Sequence, residues 1–540
     1  MHRFRWVFLV LLQSLVAQAT EYRVGPGQPF ASIGAVPWES LQPGDTVFIH
    51  ARPTPYAEKW VLGVRGTASA PITVRGVRDA AGNLPVIVGE NATTRSQLNF
   101  WSEQRGILKI GGSNTPADTV PAYLVVEDLH LRRARGSFTG RSGASTYTTN
   151  ASAIFIEKGE HLTIRGCVLE DSGNGLFVAN ETSDLLIERN HLFGNGNSGS
   201  ILEHNAYTEA LGITYQFNRF GPLCTGCQGN NLKDRSAGTV IRYNWIEGGN
   251  RQLDLVESDS ATVRAAASYS RTFVYGNVLL EPEGAGNRQI VHFGGDNGTT
   301  STYRSQLYFF HNTVVSSRTD RTTLLRLSSN AQTAHVTSNV VLVAAAGGNT
   351  LSLTDEPGTL RHGGNWYKPG YVSTFAGVPV SVVDTGGNLT GTTPGFVDLA
   401  GQDFHLAQGS PLRGAAVAAP SEAASLPVDW QYVKHVSAES RTVTPPRHIG
   451  AYGDSSGPVT ETPDAGNGTP DAGNGTPDAG DGTPDTGAPD AGAPDSGPGE
   501  EVPGKTDDDG GCGATGSGFA GPLGLLTMAA LAIRRRWARA

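Results

Sequence analysis

The 540-residue sequence predicts an all-β solenoid, and three observations predict it. Only 17% of residues are charged while glycine alone numbers 70, a balance that favours frequent turns over long helices. Short apolar runs recur: "LTIRGCVL", "LLIERNHL", "ITYQFNRF", "VIRYNWI", "FVYGNVLL", "YFFHNTVV" and "HVTSNVVL". Aligned, they place Cys167, Asn190, Asn218, Asn244, Asn277, Asn312 and Asn339 in one column at intervals of 23 to 35 residues. The positions three before and two after are apolar or aromatic in every repeat, as stacked coils sharing one interior require. The column suits a turn, where asparagine tolerates unusual backbone angles and its amide can bond the next coil. Cys167 in that column is expected to be packed.

The elements follow in order. Residues 1–19 carry Arg3 and Arg5, the apolar run "WVFLVLLQSLVA" and a small-residue "AQA", the pattern of a secretory signal cleaved after Ala19. That run is short of the about 20 residues that a membrane span needs. Residues 20–453 hold the repeats. From 454 to 511 the sequence turns to "TPDAGNGTPDAG", and residues 455–511 place thirteen acids against Lys505, which predicts a disordered acidic spacer. Residues 512–540 comprise Cys512, a short apolar segment expected to be helical, and an arginine block. With its charge concentrated in spacer and tail, the near-neutral body gives no case for nucleic-acid binding. A monomer is expected. "CTGC" at 224–227 is compatible with a local disulfide, free thiols or metal; it has no second ligand pair nearby.

A second strand of each coil can be aligned: "AIFIE", "GLFVA", "EHNAY", "NNLKD", "QLDLV" and "TLLRL". With Ile154, Ile156, Leu176, Val178, Leu232, Leu253, Leu255, Leu325 and Leu327 inward, period-two alternation turns Glu157, Ala179, Tyr207, Lys233, Asp254 and Arg326 outward. Arg235 shares the parity of Lys233, while Asp234 faces the other way or enters the turn. Asn205, Asn231 and Gln252 are expected as exposed groups for sugar hydroxyls, beside Asp254 and Arg326 as further binding residues. His204 and His292 receive an inward parity, and Asp296 in "HFGGDNG" reads as a turn residue.

This constellation suits β-elimination on a uronic acid polymer. Loss of the C5 proton beside a carboxylate needs a base and a cation that neutralises the carboxylate. Lys233 is expected as the base if Arg235 disfavours its ammonium form, Arg235 as the carboxylate's partner, and Tyr207 as the acid for the departing oxygen. Asp254 and Glu257 would be a hydrolase pair, but their odd spacing puts them on opposite faces of a strand. A glycoside hydrolase and a noncatalytic carbohydrate-binding helix remain alternatives.

The repeats, with "VGPGQPFASIGAVPWESLQPGDTVFIH" and "GTASAPITVRG" as entry coils and "PGFVDLAGQDFHLAQGSPLRGAA" and "RHIGAYG" as closing coils, resemble the pectate lyase superfamily over residues 21–453. The resemblance implies a right-handed parallel β-helix. "NNLKDRSAGTVIRYNWIEGGNRQLDLV" resembles the lysine-bearing coil of polysaccharide lyase family 6, which includes alginate lyases and chondroitinase B. It implies a base at Lys233; the family's assisting arginine falls on Asp254 and its calcium-binding glutamate region on Gln228. The sequence itself requires no cofactor; the resemblance allows calcium, although the family's metal-ligand position is not matched. "GCGATGSGFAGPLGLLTMAALAIRRRWARA" resembles the myxobacterial C-terminal sorting signal, implying sorting machinery as a partner, processing or lipid attachment at Cys512, and a place on the outer surface of the cell.

Overall fold

The computed structural model describes residues 19–453 except 356, 376, 378, 379 and 442–446; the leader before Ala19, the spacer and the segment around Cys512 lie outside it. The chain is a parallel β-helix. Three rows of inward side chains run along it, one from each face of the coil. The first is Val47, Val74, Val126, Ile164, Ile187, Tyr215, Ile241, Val274, Phe309 and Val336. The second is Trp60, Leu108, Ile154, Leu176, Ala206, Leu232, Leu253, Val291 and Leu325. The third lies on an 11-stranded sheet and runs from Ile87 through Leu131, Leu169, Leu192, Phe220, Ile246, Leu279 and Val314 to Val341. All three rows meet in one apolar core. Each strand contributes few residues, so the core is continuous along the axis, and each coil is stable only against its neighbours.

The asparagine column forms a hydrogen-bonded ladder at one corner. Asn218 Nδ2 donates to Asn244 Oδ1 at 2.9 Å, Asn244 to Asn277 at 2.9 Å and Asn277 to Asn312 at 2.9 Å. The ladder runs on through Asn339 to Asn365 and Asn388, two coils beyond the aligned repeats. Each carboxamide oxygen also accepts the backbone N–H of the preceding coil, as with Cys167 N to Asn190 at 2.9 Å. The unusual backbone angle belongs to the residue before the asparagine: Arg189, Phe217, Tyr243, His311 and Ser338 have φ between 51° and 58°. The turn expectation is therefore corrected: asparagine is used for its amide, and the left-handed strain is borne one residue earlier. Cys167 is fully buried, and burial pushes its thiol up to about 12, so it is packed and inert.

The closing segment departs from the sequence reading. Coil pairing ends at Ser381–Asp384 and Leu389–Thr390. Beyond it the chain makes two antiparallel hairpins, Phe396–Asp398 with Asp403–Leu406 and Trp430–Val433 with Ser437–Ser440. These fold back along the flank, where Phe404 and Tyr432 stack on Trp245 and Pro427 O accepts from Tyr243 Oη at 2.8 Å. They shield aromatic side chains that would otherwise face water.

Candidate active site

Outward positions on the second face form one row in register: Lys109, Phe155, Phe177, Tyr207, Lys233, Asp254, His292 and Arg326. Successive members lie on coils ~4.8 Å apart. The structure thus brings Tyr207, Lys233, Asp254 and Arg326 into a single ladder. Two placements are corrected. The row passes through Phe155 and Phe177, two residues before Glu157 and Ala179, because parity alone cannot fix a shift of two. His292 faces outward between Asp254 and Arg326, so its inward assignment was a one-residue error in the alignment of that coil.

Lys233 Nζ lies 2.8 Å from Asp254 Oδ2 and 3.1 Å from Asp296 Oδ2. Asp254 is buried beneath it and also accepts from Asn230 Nδ2 at 2.7 Å and His292 Nδ1 at 2.7 Å. Burial alone would push the Asp254 carboxyl up, but hydrogen bonding to His292 and the Lys233 charge hold it far below the usual carboxylate range. Burial likewise works against the Lys233 ammonium, yet Asp254 and Asp296 outweigh it and raise Lys233 above its ordinary value; Arg235 opposes them only weakly. The expectation of a neutral Lys233 base is therefore corrected: the resting side chain is an ion-paired ammonium.

Arg235 lies beyond the end of the strand Leu232–Asp234 but keeps the outward side. Its Nε donates to Tyr207 Oη at 3.0 Å, and its Nη1 donates to Glu257 O. Asp259 Oδ1 and Asp296 Oδ1 stand 3.6 and 3.8 Å from the guanidinium. Asp296 is the group the sequence reading undervalued. It reaches both cations from the "HFGGDNG" turn, is 43% exposed, and is held at its backbone N–H by the buried Glu257 at 2.9 Å. The two glycines before it allow the turn to approach the row, a signal that sequence alone does not separate from an ordinary loop.

Asn205, Asn231 and Gln252 are fully buried, which corrects their assignment as sugar-binding groups. They precede the strands by one residue, at a bend where strand alternation no longer applies. Asn195, Asn205 and Asn231 make a second amide ladder, and Gln252 Nε2 donates to Leu280 O and Glu281 Oε2. His204 is buried at an edge contact with Tyr207; its Nδ1 accepts from Asn230 N, and burial pushes it down to about 3. Asp254 and Glu257 are both buried, so they do not form an accessible hydrolase pair. Cys224 and Cys227 are disulfide-bonded in the adjoining loop. Among the described residues no group of three or more His, Cys, Asp or Glu side chains is placed to hold a metal ion together.

These shifts fix a pH profile. The lowered Asp254 contributes stability that is full above its unfolded value of about 4 and is lost as pH falls through its folded value. The raised Lys233 contributes stability that is full below about 10.4 and lost as pH rises further. The contribution of the Lys233–Asp254 pair should be constant between these limits and fall on both sides, while lowered histidines such as His204 add their own loss of stability below about 6.5. In Asp254→Asn the acid limb should flatten; an unchanged limb would contradict the assignment.

No family model and no curated protein matches the sequence. Among solved structures the chain is similar to the pectate lyase Pel9A, at 10% identity over 81% of this chain and 97% of that one, with a TM-score of 0.43. It is also similar to a lacto-N-biosidase from Eubacterium ramulus, at 11% identity over 69% of this chain and 68% of that one, TM-score 0.41. An alginate lyase from Paenibacillus sp. is similar at 14% identity over 64% and 93%, TM-score 0.31. What the cluster does rests on its own geometry.

Proposed function

We propose that the chain is a polysaccharide-active β-helix protein that cleaves uronate-containing polymer by β-elimination, with Tyr207, Lys233 and Arg235 as its catalytic residues. The observation that carries this reading is the 3.0 Å bond from Arg235 Nε to Tyr207 Oη, with the Lys233 ammonium in register on the next coil. As the C5 proton leaves, negative charge spreads onto the uronate carboxylate, and cations fixed there stabilise it. Lys233 and Arg235 supply two, with Asp296 as the exposed carboxylate that the substrate's own carboxylate replaces. The proposed step needs Tyr207 Oη to enter it without its proton; the oxygen, held by Arg235 Nε, then takes the C5 proton. The electron pair forms the C4–C5 double bond, the C4–O bond breaks, and the proton passes from Tyr207 to the departing oxygen. Asp254 positions Lys233 from beneath, and Arg326 lies two coils further along the row for a neighbouring sugar.

A second reading, glycoside hydrolysis, is favoured by one observation: Asp296 is an exposed carboxylate at the centre of the cluster. The products decide. Polygalacturonate, alginate and glycosaminoglycans incubated with the protein should give unsaturated uronyl ends that absorb in the near ultraviolet. New reducing ends without that absorbance would establish hydrolysis. Binding without product would establish a carbohydrate-binding helix.

The sequence context supports a site of action outside the cell, with the helix held at the surface by the segment around Cys512. Cys512→Ala should be released from the membrane fraction while its β-helix melts normally, because the spacer uncouples the two. Retention of that variant would overturn the anchoring role.

A further inference from the structure

Three arginines gather beyond the catalytic cluster, and among the described residues no acid is paired with them. Arg251, Arg288 and Arg321 stand within two residues ahead of the second-face strands Leu253–Leu255, Gln289–Phe293 and Thr322–Leu327, on three successive coils. Arg251 borders the cluster and feels the charges of Asp254 and Asp296. Its Nε and Nη2 donate to Gln289 Oε1 at 3.0 and 2.6 Å, which leaves Nη1 open to water. Arg288 and Arg321 lie over one ring, 5.9 and 4.7 Å from the centroid of Phe375. Among the described residues neither guanidinium makes a hydrogen bond or an ion pair. Arg321 is exposed, and Arg288 is half-buried with its guanidinium nitrogens still reached by water. The acids nearby are committed or withdrawn. Glu281 and Asp320 hold Arg318 at 3.1 and 2.8 Å, and Glu283 accepts from Thr319 N at 2.6 Å. Asp355 is buried, and its Oδ2 accepts from Gln289 Nε2 instead of from any of the three arginines. Burial pushes its carboxyl up, and Gln289 and the surrounding arginines only partly offset this, so it is a weak counter-charge.

We infer that Arg251, Arg288 and Arg321 form a subsite for a further uronate carboxylate of the bound polymer, on the C-terminal side of Lys233. The inference rests on the proposed uronate reading and deepens it. Like cations held together with their donors facing water attract an anion, and each planar guanidinium can take a carboxylate through two parallel N–H···O bonds. The Phe375 ring limits the freedom of two long side chains before the ligand arrives, which lowers the cost of ordering them. Arg288 lies two coils and Arg321 three coils beyond Lys233, about 10 and 14 Å along the axis. Arg251, one coil beyond Lys233, joins them to the catalytic cluster. A polymer seated at Tyr207 and Lys233 would therefore run along the axis towards Arg321, and short fragments would engage only the Lys233 end.

The test is binding of a size series of oligogalacturonates and oligoalginates to the full chain, measured by calorimetry. Arg288→Met combined with Arg321→Met keeps both unbranched stems on Phe375 and removes the charges. The affinity of this double variant should fall about tenfold or more for long fragments and match wild type for the shortest that bind. Its affinity for long fragments should also depend less steeply on salt. Carboxyl-reduced fragments should bind the two proteins equally, and Arg288→Lys with Arg321→Lys, which keeps the charges without the fork, should recover part of the loss. A melting curve for each variant separates unfolding from loss of contact. Unchanged affinity in the double variant, an equal loss at every length, an equal loss for reduced fragments, or no binding of any fragment would overturn the subsite. Arginine-dependent binding of long fragments without unsaturated product would sink the lyase reading and leave the subsite standing; unsaturated product with unchanged affinity in the double variant would do the reverse.

Discussion

Replacing Asp234 by alanine is expected to destabilise the protein by about 3–5 kcal/mol, the cost of removing one partner from a fully buried ion pair. Asp234 lies between Lys233 and Arg235 in sequence but turns inward. Its Oδ2 accepts from Arg304 Nη2 at 2.8 Å and Thr239 Oγ1 at 2.7 Å, and its Oδ1 accepts from Thr208 Oγ1 at 2.9 Å. Arg304 is itself completely buried and donates to Val256 O, Asp234 O and Thr272 Oγ1. Without the carboxylate, the guanidinium charge would stay in a medium that cannot solvate it. Four coils meet at this pair, so its loss should also loosen the strand end that aims Lys233 and Arg235. Urea midpoints of Asp234→Ala and Asp234→Asn, the latter retaining acceptor geometry, measure it. A shift in Asp234→Ala no larger than that of an exposed substitution would contradict the role assigned to the pair.

The second large effect concerns chemistry. Tyr207→Phe should lose roughly 10²-fold or more in turnover, with oligouronate affinity nearly intact. The ring would still pack on Phe177 and His204, but no oxygen would remain to carry a proton. Arg235→Ala should differ in kind, weakening both affinity and rate, since the guanidinium is proposed to touch both the substrate carboxylate and the phenol. Tyr207→Phe should cost far less stability than Asp234→Ala, because it removes one hydroxyl and a single hydrogen bond, whereas Arg235→Ala also takes a buried cation away from the buried Glu257. Unchanged turnover in Tyr207→Phe would remove the phenol from the mechanism.

The asparagine column was legible because each repeat must solve the same corner, and repetition makes a turn visible without coordinates. The Tyr207, Lys233, Asp254 and Arg326 row was legible for the same reason, through strand alternation. Alternation cannot count coils, which is why the row's passage through Phe155 and Phe177 and the outward place of His292 needed the structure. It also stops at the strand end, so Asn205, Asn231 and Gln252 looked outward in sequence and lie inside. The Asp234 partner, Arg304, is 70 residues away and belongs to no repeat position. Asp296 depends on how a glycine turn folds over the sheet. The closing hairpins carry short alternating stretches like those of the coils, but they pair with each other and cover the flank, a choice made by exposed aromatics on the solenoid side.

The central claim is that this cluster eliminates across a uronate linkage, and the most direct measurement is the release of unsaturated uronyl ends from polygalacturonate and alginate by the intact chain and by Lys233→Ala, side by side. The account predicts near-ultraviolet absorbance that grows with wild type on at least one polymer and falls about 10²-fold or more in the variant. New reducing ends without absorbance, or equal rates for the two proteins, would contradict it.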